Sequence, residues 1–393
     1  MSTEVYVVSA VRTAIGGFGG SLKDTPPTDL GITTARAAIE GAGVPIEAIG
    51  HAVYGQVMPT EPRDGYLARV IAMGAGVPVQ TPALTVNRLC GSGLQAIVSA
   101  AQSLLLGDCQ VALAGGAESM SRVPFHLPSH RWGRKLGDDG LVDALQGGLT
   151  DPFHQVLMGI TAEQVAERHG IDRARQDATA LDSHRKAAAA IEAGHFRSQI
   201  VPVRVGRKGR ETDFQVDEHV RADLTADNLA GLRPAFKPDG SVTAGNASGI
   251  NDGAASLLLA SAEAVKSYNL RPLARLVSYG HAGVEPLFMG MGPVPATRQA
   301  LARAGLHIAD LDLIECNEAF AAQACAVVDE LGLDPARVNP NGSGISLGHP
   351  VGATGAIITV KLLHELQRSG GRYGLATLCI GGGQGIAAIF ERC

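Results

Sequence analysis

The stretch Val86-Asn87-Arg88-Leu89-Cys90-Gly91-Ser92-Gly93-Leu94 places a cysteine between a strand-like run and a helix. Residues 83–86 are typical of a short buried strand, and apolar residues recur downstream at three- and four-residue spacing, as on the core face of a helix. The predicted core positions are Leu94, Ile97, Val98, Ala101, Leu104 and Leu105. Cys90 is therefore expected at a helix N-terminus, where unpaired N–H groups and the helix dipole favour the thiolate over the thiol. A small core cysteine at a tight turn is the alternative, and partners elsewhere in the chain must decide between the two.

The composition favours an α/β protein of two or three domains. The chain has 393 residues, of which 45% are hydrophobic and 4% aromatic, and it contains 50 glycines. Such a chain buries a large core and is rich in tight turns. The formal net charge of −5 argues against general binding to nucleic acid or membrane surfaces, so neither partner is predicted.

The six cysteines are scattered without a C-x-x-C pair, which predicts neither a zinc site nor a disulfide framework. Cys109 and Cys325 are expected to be core residues. The N-terminus runs directly into the strand-like residues 5–8, and no apolar run is expected to reach membrane-spanning length. We therefore expect a complete, cytoplasmic protein.

The chain repeats itself at an offset of 262 residues. The matching segments are 36–43 with 298–305, Ile46 and Ile49 with Ile308 and Leu311, and Ser92-Gly93 with Thr354-Gly355. Beyond the helices that follow, the offset is expected to grow to 266, which matches residues 111–116 with 377–382. The repeat predicts two copies of one α/β unit.

Residues of about 120 to 242 interrupt the repeat with a charged, proline-punctuated insertion. It contains a loop rich in Gly, Arg and Asp at 131–148, an Ala-rich predicted helix at about 173–193 and a basic segment at 204–210. The predicted domains are a first half at 1–119 plus 243–271, the inserted loop domain at 120–242, and a second half at 272–393. The insertion is expected to lie over one face as a lid or substrate-holding domain.

The repeat predicts a histidine partner for Cys90. At the offset of 262, Cys90 corresponds to Gly352, so Gly348-His349-Pro350 lies just ahead of the matching turn. If a pseudo-twofold axis relates the copies, the two turns face each other and Cys90 and His349 converge. A histidine beside a cysteine at a helix N-terminus is the arrangement that activates a thiolate nucleophile.

Two further candidates end strands of the second copy. Cys379 ends the last buried strand and leads into Gly381-Gly382-Gly383, whose N–H groups can point at a developing negative charge. A core cysteine is the alternative. Asn317 follows the predicted strand at 313–314 and can hold a water or an oxyanion, or else cap a helix.

Four motifs, in this order and spacing, resemble those of the thiolase family. They are Asn87-Arg88-Leu89-Cys90-Gly91-Ser92-Gly93, Asn317-Glu318-Ala319-Phe320, Gly348-His349-Pro350 and Cys379-Ile380-Gly381-Gly382-Gly383. Within that family the chain is similar to bacterial acetyl-CoA acetyltransferases and to broad-range β-ketothiolases that supply polyester precursors. The resemblance spans the whole chain. It implies the five-layered αβαβα thiolase fold and a homotetramer built from dimers, with the segment from Ser121 to Gly140 as the tetramerisation loop.

The resemblance also implies a role for each motif. Cys90 becomes the nucleophile that takes the acyl group, His349 activates it, and Cys379 becomes the acid/base at the substrate α-carbon. Asn317, through a water, and His349 stabilise the enolate, while the N–H groups of Cys90 and Gly381 hold the acyl-enzyme oxyanion. A Claisen condensation needs two groups because one holds the acyl unit while the other removes a proton. The expected reaction is ping-pong and reversible, with acetyl-CoA, acyl-CoA and CoA as substrates and products and with no cofactor or metal.

For coenzyme A, the resemblance implies a binding channel. Its predicted residues are Arg221, Ser248, Ala244, Phe236, Ala319 and Phe320. A basic run of Arg207, Lys208 and Arg210 either attracts the nucleotide phosphates or is a solvated loop.

The chain departs from the family pattern at two positions. The family usually has His-Met-Gly where this chain has Leu157-Met158-Gly159, and a serine common near the nucleotide is Asn228. An apolar Leu157, with Met158 and Met289 as a flexible and polarisable wall, predicts tolerance of longer acyl chains.

Three other classes of protein fit the sequence less well. A ketoacyl synthase of the same fold would carry a second histidine or an asparagine where this chain has Cys379. A non-catalytic lipid-binding relative would have lost one or more catalytic groups, and all are present here. The two repeated halves do not support a cysteine protease.

Overall fold

Strands and helices alternate along the chain in the computed structural model, which describes residues 4–207 and 209–393. The strands are β1 Val5–Arg12, β2 Gly16–Gly17, β3 Ile49–Gly55, β4 Ala83–Val86, β5 Val111–Ser119, β6 Phe125–His126, β7 Val142–Asp143, β8 Thr150–Asp151, β9 Val156–Leu157, β10 Val203–Val205, β11 Thr212–Phe214, β12 Asn251–Ser261, β13 Ala274–Gly283, β14 Leu313–Cys316, β15 Tyr373–Ile380 and β16 Gln384–Arg392. The α-helices are α1 Pro27–Ala42, α2 Leu67–Gly74, α3 Ser92–Leu106, α4 Ala144–Gly148, α5 Met158–His169, α6 Arg173–Glu192, α7 Ala226–Ala230, α8 Ala262–Ser267, α9 Pro293–Ala304, α10 Ala321–Leu331, α11 Gly344–Leu347 and α12 Val351–Ser369. Short 3₁₀ helices lie at Ile46–Ala48, Pro62–Tyr66, Met120–Arg122, His130–Trp132, Pro286–Met291, Ile308–Asp310 and Pro335–Arg337.

The main sheet is symmetric about its centre. Its strands lie in the order β14-β15-β16-β13-β1-β12-β5-β3-β4, with β2 beside β12. At the centre, β1 and β13 pair only at Tyr6 with Arg275 and Val7 with Ala274. Outward from this seam, β12, β5 and β3 on one side correspond to β16, β15 and β14 on the other. The parallel pair β3–β5 corresponds to the parallel pair β14–β15. The two predicted copies of one α/β unit are therefore confirmed.

Helices fill the space between the halves and cover the outer faces. Helix α12 packs on α3 and on strands of both halves, namely β12 and β5 of the first and β15 of the second. Helix α1 covers β12 and β1, and α9 covers β13 and β16. The layers are therefore α1, the strands of the first half, α3 with α12, the strands of the second half, and α9. This is the predicted five-layered αβαβα fold.

The two central helices cross where the repeat places a glycine in each copy. A side chain at Gly93 would come within 2.5 Å of the backbone nitrogen of Ala356. A side chain at Gly355 would come within 2.3 Å of the backbone nitrogen of Leu94. The halves can approach this closely only because both positions lack a Cβ. This crossing brings the first turns of α3 and α12 together.

The predicted growth of the offset to 266 is wrong. In the first half His51 pairs with Ala112, and in the second Leu313 pairs with Gly374. Each residue of the second pair lies 262 positions beyond its counterpart, so the offset of the helices continues through the strands. The prediction rested on a double glycine in each copy, but these glycines meet different needs. Those in β5 lie against the backbone of β12 and α12, whereas Gly382 forms a turn with φ of +78°.

Helix α3 follows its predicted core pattern except at its C-terminal end. Leu94, Ile97 and Leu104 are buried, but Leu105 is 47% exposed. Successive helical residues point about 100° apart, and the helix leaves the core at this end. By length and composition Leu89–Leu106 could cross a membrane, contrary to the expectation that no run would reach that length. However, 56% of this stretch is buried inside the protein, as in a core helix.

A buried ion pair ties the insertion to the first half. The Arg12 guanidinium binds both carboxylate oxygens of Asp217, at 2.7 and 2.9 Å, and both side chains are fully buried. Arg12 also donates to Gln199, and Asp217 also accepts the N–H of Ile15. Close by, Glu218 accepts the N–H of Gly17 at 2.6 Å. These contacts fix residues 217 and 218 against the first half, so the position at which the next segment begins is defined.

Candidate active site

Cys90 lies in a tight turn between β4 and α3, as predicted. Leu89 before it has a left-handed backbone with φ of 45°, which for a leucine costs of order 1–3 kcal/mol. Two side chains hold that conformation. Asn87 Oδ1 accepts the N–H of Leu89 at 3.0 Å, and the Ser92 hydroxyl donates to the Leu89 carbonyl at 2.7 Å. The turn thus presents Cys90 at the first turn of α3.

The Cys90 thiol does not have the lowered pKa that the helix N-terminus predicted. Burial raises its pKa to about 11, and the negative charge of Glu118 acts in the same direction. The backbone N–H groups of Gly381 and of Cys90 itself lie within hydrogen-bonding reach of the sulfur and oppose the shift without cancelling it. At neutral pH the group is a thiol, so its reaction as a nucleophile requires a base to take the proton.

His349 is suited to be that base. It is buried, and burial lowers its pKa to about 4, so the ring is neutral at pH 7. The Thr354 hydroxyl lies 2.6 Å from Nδ1 and donates its own proton to the Pro350 carbonyl at 2.9 Å. Nδ1 therefore carries the hydrogen, and Nε2 keeps its lone pair. Nε2 is buried and has no hydrogen-bond partner among the described residues.

The crossing of α3 and α12 brings His349 to the Cys90 turn. Cys90 packs in the same apolar cluster as Val351, the residue that begins α12 two positions after His349. The backbone N–H of His349 donates to Asn251 Oδ1 at 2.9 Å, which fixes the approach to the helix. The two turns therefore meet in the fold, while direct contact between Cys90 and His349 stays a prediction.

Asn317 is fully buried at the end of β14, and both polar atoms of its amide lack a hydrogen-bond partner within residues 4–207 and 209–393. The alternative role as a helix cap is wrong, because the N-cap of α10 is Phe320. A buried amide left without protein partners is costly unless a water or ligand satisfies it. The position therefore suits the predicted contact with a water or an oxyanion.

Cys379 is fully buried near the end of β15. Burial raises its pKa well above the ordinary value, and the proximity of Cys90 and Cys316 adds to the shift. Met289, Ala319 and Phe320 pack with Cys379 in one apolar cluster. The second thiol thus lies close enough to Cys90 for their charges to interact.

A cavity of about 550 Å³ leads from the surface to His349. It is lined by most of the predicted binding residues, namely Leu157, Met158, Arg221, Phe236, Ala244, Ser248 and Phe320. Ala319 and Met289 are not in its lining but lie behind it, beside Cys379. Met158 also reaches Gly381, where a Cβ would lie 2.9 Å from its methyl carbon. The insertion supplies much of this lining, as expected for a substrate-holding domain.

The residues predicted to lie near the nucleotide of coenzyme A are Asn228 and the basic run at 207–210. Asn228 uses its side-chain oxygen to cap α7, accepting from the Thr225 N–H and hydroxyl at 3.1 and 2.8 Å. Arg207 and Arg210 are exposed, and Lys208 lies outside the described residues. Their contact with phosphate stays a prediction.

Sequence reasoning missed Glu118, a fully buried carboxylate at the end of β5. It accepts three backbone N–H groups, those of Val57, Met58 and Gly352, at 3.0, 3.1 and 2.8 Å. Burial raises its pKa to about 7. By binding Gly352 it joins the first half to the first turn of α12. A charged residue directly after the apolar run of a strand was the available signal.

Cys109 and Cys325 are buried, as predicted for core cysteines, and all six cysteines are free thiols. Within the part of the chain that the structure describes, no group of three His, Cys, Asp or Glu side chains is arranged to hold a metal ion.

The site brings together a thiol beside paired N–H donors, a neutral buried histidine in the cavity lining and a second buried thiol. These are the groups of a cysteine-dependent acyltransferase. The models of the thiolase N-terminal and C-terminal domains match residues 5–263 and 270–392. The chain belongs to the thiolase family, and it is an acyltransferase of the acetyl-CoA acetyltransferase and 3-ketoacyl-CoA thiolase type.

Individual relatives match along their full length. The β-ketothiolase BktB of Cupriavidus necator is 64% identical, with all of both chains covered. The acetyl-CoA acetyltransferase of Chromobacterium violaceum is 52% identical over 99% of this chain and 100% of its own. The crystal structure of human mitochondrial 3-ketoacyl-CoA thiolase in complex with CoA has a TM-score of 0.96 at 46% identity, covering 100% of this chain and 98% of that one.

Proposed function

We propose that the protein catalyses the reversible Claisen condensation of acyl-CoA with acetyl-CoA, and the reverse thiolysis, through an acyl group on Cys90. The observation that carries the proposal is a neutral histidine with a free Nε2 at the helix turn that packs against the thiol-bearing turn. His349 takes the Cys90 proton as the sulfur attacks the thioester carbonyl. The N–H groups of Cys90 and Gly381, already directed at the sulfur, stabilise the oxyanion that forms next to it.

In the second half-reaction Cys379 removes a proton from the α-carbon of acetyl-CoA. Cys379 first becomes a thiolate by giving its proton to Nε2 of His349, which was freed when coenzyme A left with the proton of Cys90. The protonated Nε2 then donates to the enolate oxygen together with a water held by Asn317. The carbanion attacks the acyl carbonyl, the Cys90–carbonyl bond breaks, the Cys90 sulfur takes the proton from Nε2 of His349, and the 3-ketoacyl thioester leaves. The first step exchanges one thioester for another, and the second converts the acyl-enzyme thioester into the ketone of the 3-ketoacyl thioester. Neither step is a redox step, so the proposed reaction uses no cofactor, and coenzyme A is substrate and product.

Intact-protein mass tests this function. The protein is mixed briefly with equal amounts of acetyl-, propionyl-, butyryl- and hexanoyl-CoA, beside a Cys90→Ala variant. We expect mass increases of the corresponding acyl groups that are absent from Cys90→Ala, and their relative sizes rank the acyl chains accepted. Unchanged masses in both proteins would remove Cys90 from its role.

We propose that Leu157 widens the range of acyl chains, because its partly exposed side chain lies in the cavity lining beside Met158. Leu157→His is expected to lower the acylation rate with hexanoyl-CoA relative to acetyl-CoA by about tenfold, since each buried methylene contributes roughly 0.8 kcal/mol. Rates are measured by acyl-enzyme formation for each thioester. The control is Leu106→His, at the exposed end of α3. An unchanged ratio in Leu157→His would contradict the proposal.

We propose further that the segment 121–140 joins copies of the chain into a tetramer. It exposes large apolar side chains, with Trp132 and Leu136 each 91% exposed, and such patches on a stable protein are typical of contact surfaces. Replacing both by serine is expected to convert a tetramer to a dimer in light scattering coupled to size exclusion. Tyr268→Ser, which removes an exposed aromatic group elsewhere, serves as control. A wild-type mass already at the dimer, or no change in the variant, would refute it.

We also propose a cytoplasmic location. Six free thiols, two of them required by the proposed reaction, suit a reducing compartment.

A further inference from the structure

Two stacked histidines lie at the cavity wall, one in its lining and one behind it. His184, on α6, is 3% exposed, and its ring lies over that of His219 with a centroid distance of 6.4 Å and an angle of 27°. His219 lines the cavity together with Arg221. Neither histidine belongs to the four family motifs, and neither has a part in the acyl-transfer steps described above.

His184 holds the backbone of Arg221. The N–H of Arg221 donates to Nδ1 of His184 at 3.1 Å, so Nδ1 carries the lone pair and the ring must be neutral. Burial lowers the pKa of His184 to about 4, and His219 and Arg221 lower it further by charge repulsion. The acceptor is therefore available throughout the neutral range.

His219 supports the opposite side of the same wall. A side chain at Gly249 would come within 2.4 Å of His219 Cε1, so the ring lies directly against the chain at that glycine. Ser248, next to it, donates its N–H to the Ala319 carbonyl at 2.9 Å. Burial and Arg221 lower the pKa of His219, while Glu218 opposes the shift. The ring thus fills the space between Arg221 and the Ser248–Gly249 segment.

We infer that His184 and His219 are positioning residues for coenzyme A, which fix Arg221 and the Ser248–Gly249 segment at the cavity wall. This inference rests on the proposed function only in naming coenzyme A as the ligand. The pair itself is anchored, because Asp217 and Glu218 before it are bound to Arg12 and Gly17. Loss of the His184 acceptor leaves the Arg221 N–H without this partner and lets the backbone of Arg221 move at the cavity wall.

The test uses three variants of the full chain. His184→Leu removes the acceptor, His184→Asn keeps an oxygen at the position of Nδ1, and His307→Asn changes an exposed histidine that caps a 3₁₀ turn in the second half. The dissociation constant of free coenzyme A is measured by calorimetry. KM and kcat are measured for coenzyme A in acetoacetyl-CoA thiolysis, and thermal midpoints are recorded for each protein.

We expect His184→Leu to weaken coenzyme A binding and raise its KM by about five- to tenfold, the effect of one lost hydrogen bond, with a smaller change in kcat. His184→Asn should recover most of the affinity, and His307→Asn should match the wild type. The inference is overturned if His184→Leu binds coenzyme A as tightly as the wild type. It is also overturned if kcat falls as much as KM rises and His184→Asn brings no recovery. A wild type that binds coenzyme A without thiolysis would refute the proposed function and still allow the binding comparison.

Discussion

Cys90→Ala is expected to lose both half-reactions, whereas Cys379→Ala loses only one. Without the Cys90 sulfur no acyl-enzyme can form, and turnover should fall by at least about 10⁴-fold, as when other enzymes lose their nucleophile. In Cys379→Ala the first half-reaction keeps Cys90, His349 and the two N–H donors. It should still form the acyl-enzyme, while condensation falls by about 10²- to 10⁴-fold, the usual contribution of a general acid or base.

The two variants are separated by measuring both steps. Acyl-enzyme is followed by intact mass after mixing with acetyl-CoA, and condensation by acetoacetyl-CoA formation. Cys109→Ala, a buried cysteine remote from these roles, controls for the loss of a thiol from the core. If Cys379→Ala also failed to acylate while staying folded, the division of labour between the two thiols would be wrong.

Asp217→Ala should have the largest effect on stability of the substitutions considered. It leaves the Arg12 guanidinium fully buried without its carboxylate, and breaking one side of such a pair costs about 3–5 kcal/mol. It also removes the acceptor of the Ile15 N–H. We expect a clear drop in the thermal midpoint and in the denaturant concentration at half-unfolding.

The matched control is an ion pair of similar geometry at the surface. Arg175 binds both oxygens of Asp329 at 2.7 and 2.6 Å, but the two side chains are 44% and 47% exposed. Asp329→Ala should cost less than about 1 kcal/mol, because water solvates the remaining charge. Equal losses of stability in the two variants would show that burial does not set the strength of the Arg12–Asp217 pair.

The sequence was sufficient for the fold and for the meeting of the turns that carry Cys90 and His349, because both follow from patterns that the two halves repeat. The repeat predicts which turns meet, and the crossing at Gly93 and Gly355 is the physical means. It failed in β5 and β15, since a double glycine can serve close packing in one strand and a turn after the other. Similar residues in these two strands therefore do not occupy structurally equivalent positions.

Electrostatics could not be predicted from local sequence. The helix N-terminus at Cys90 favours the thiolate, but the desolvation that raises its pKa comes from residues distant in the chain. Asn317 could be a cap or an oxyanion contact until the fold showed that its amide is buried away from the helix N-cap. His184 and Glu118 gave weaker signals still, because their partners are backbone N–H groups that only the folded chain brings to them.

The position of β1 at the centre of the main sheet sets the order in which a growing chain can become an enzyme. Its neighbours are β12 and β13, so the first strand to leave the ribosome waits for more than half of the protein before it gains a partner. The last strand, β16, then inserts between β13 and β15. Such distant pairing slows folding and leaves strand edges open to aggregation during synthesis. Cys90 is therefore made early, but the base, the second thiol and the closed core join it only when translation is nearly complete.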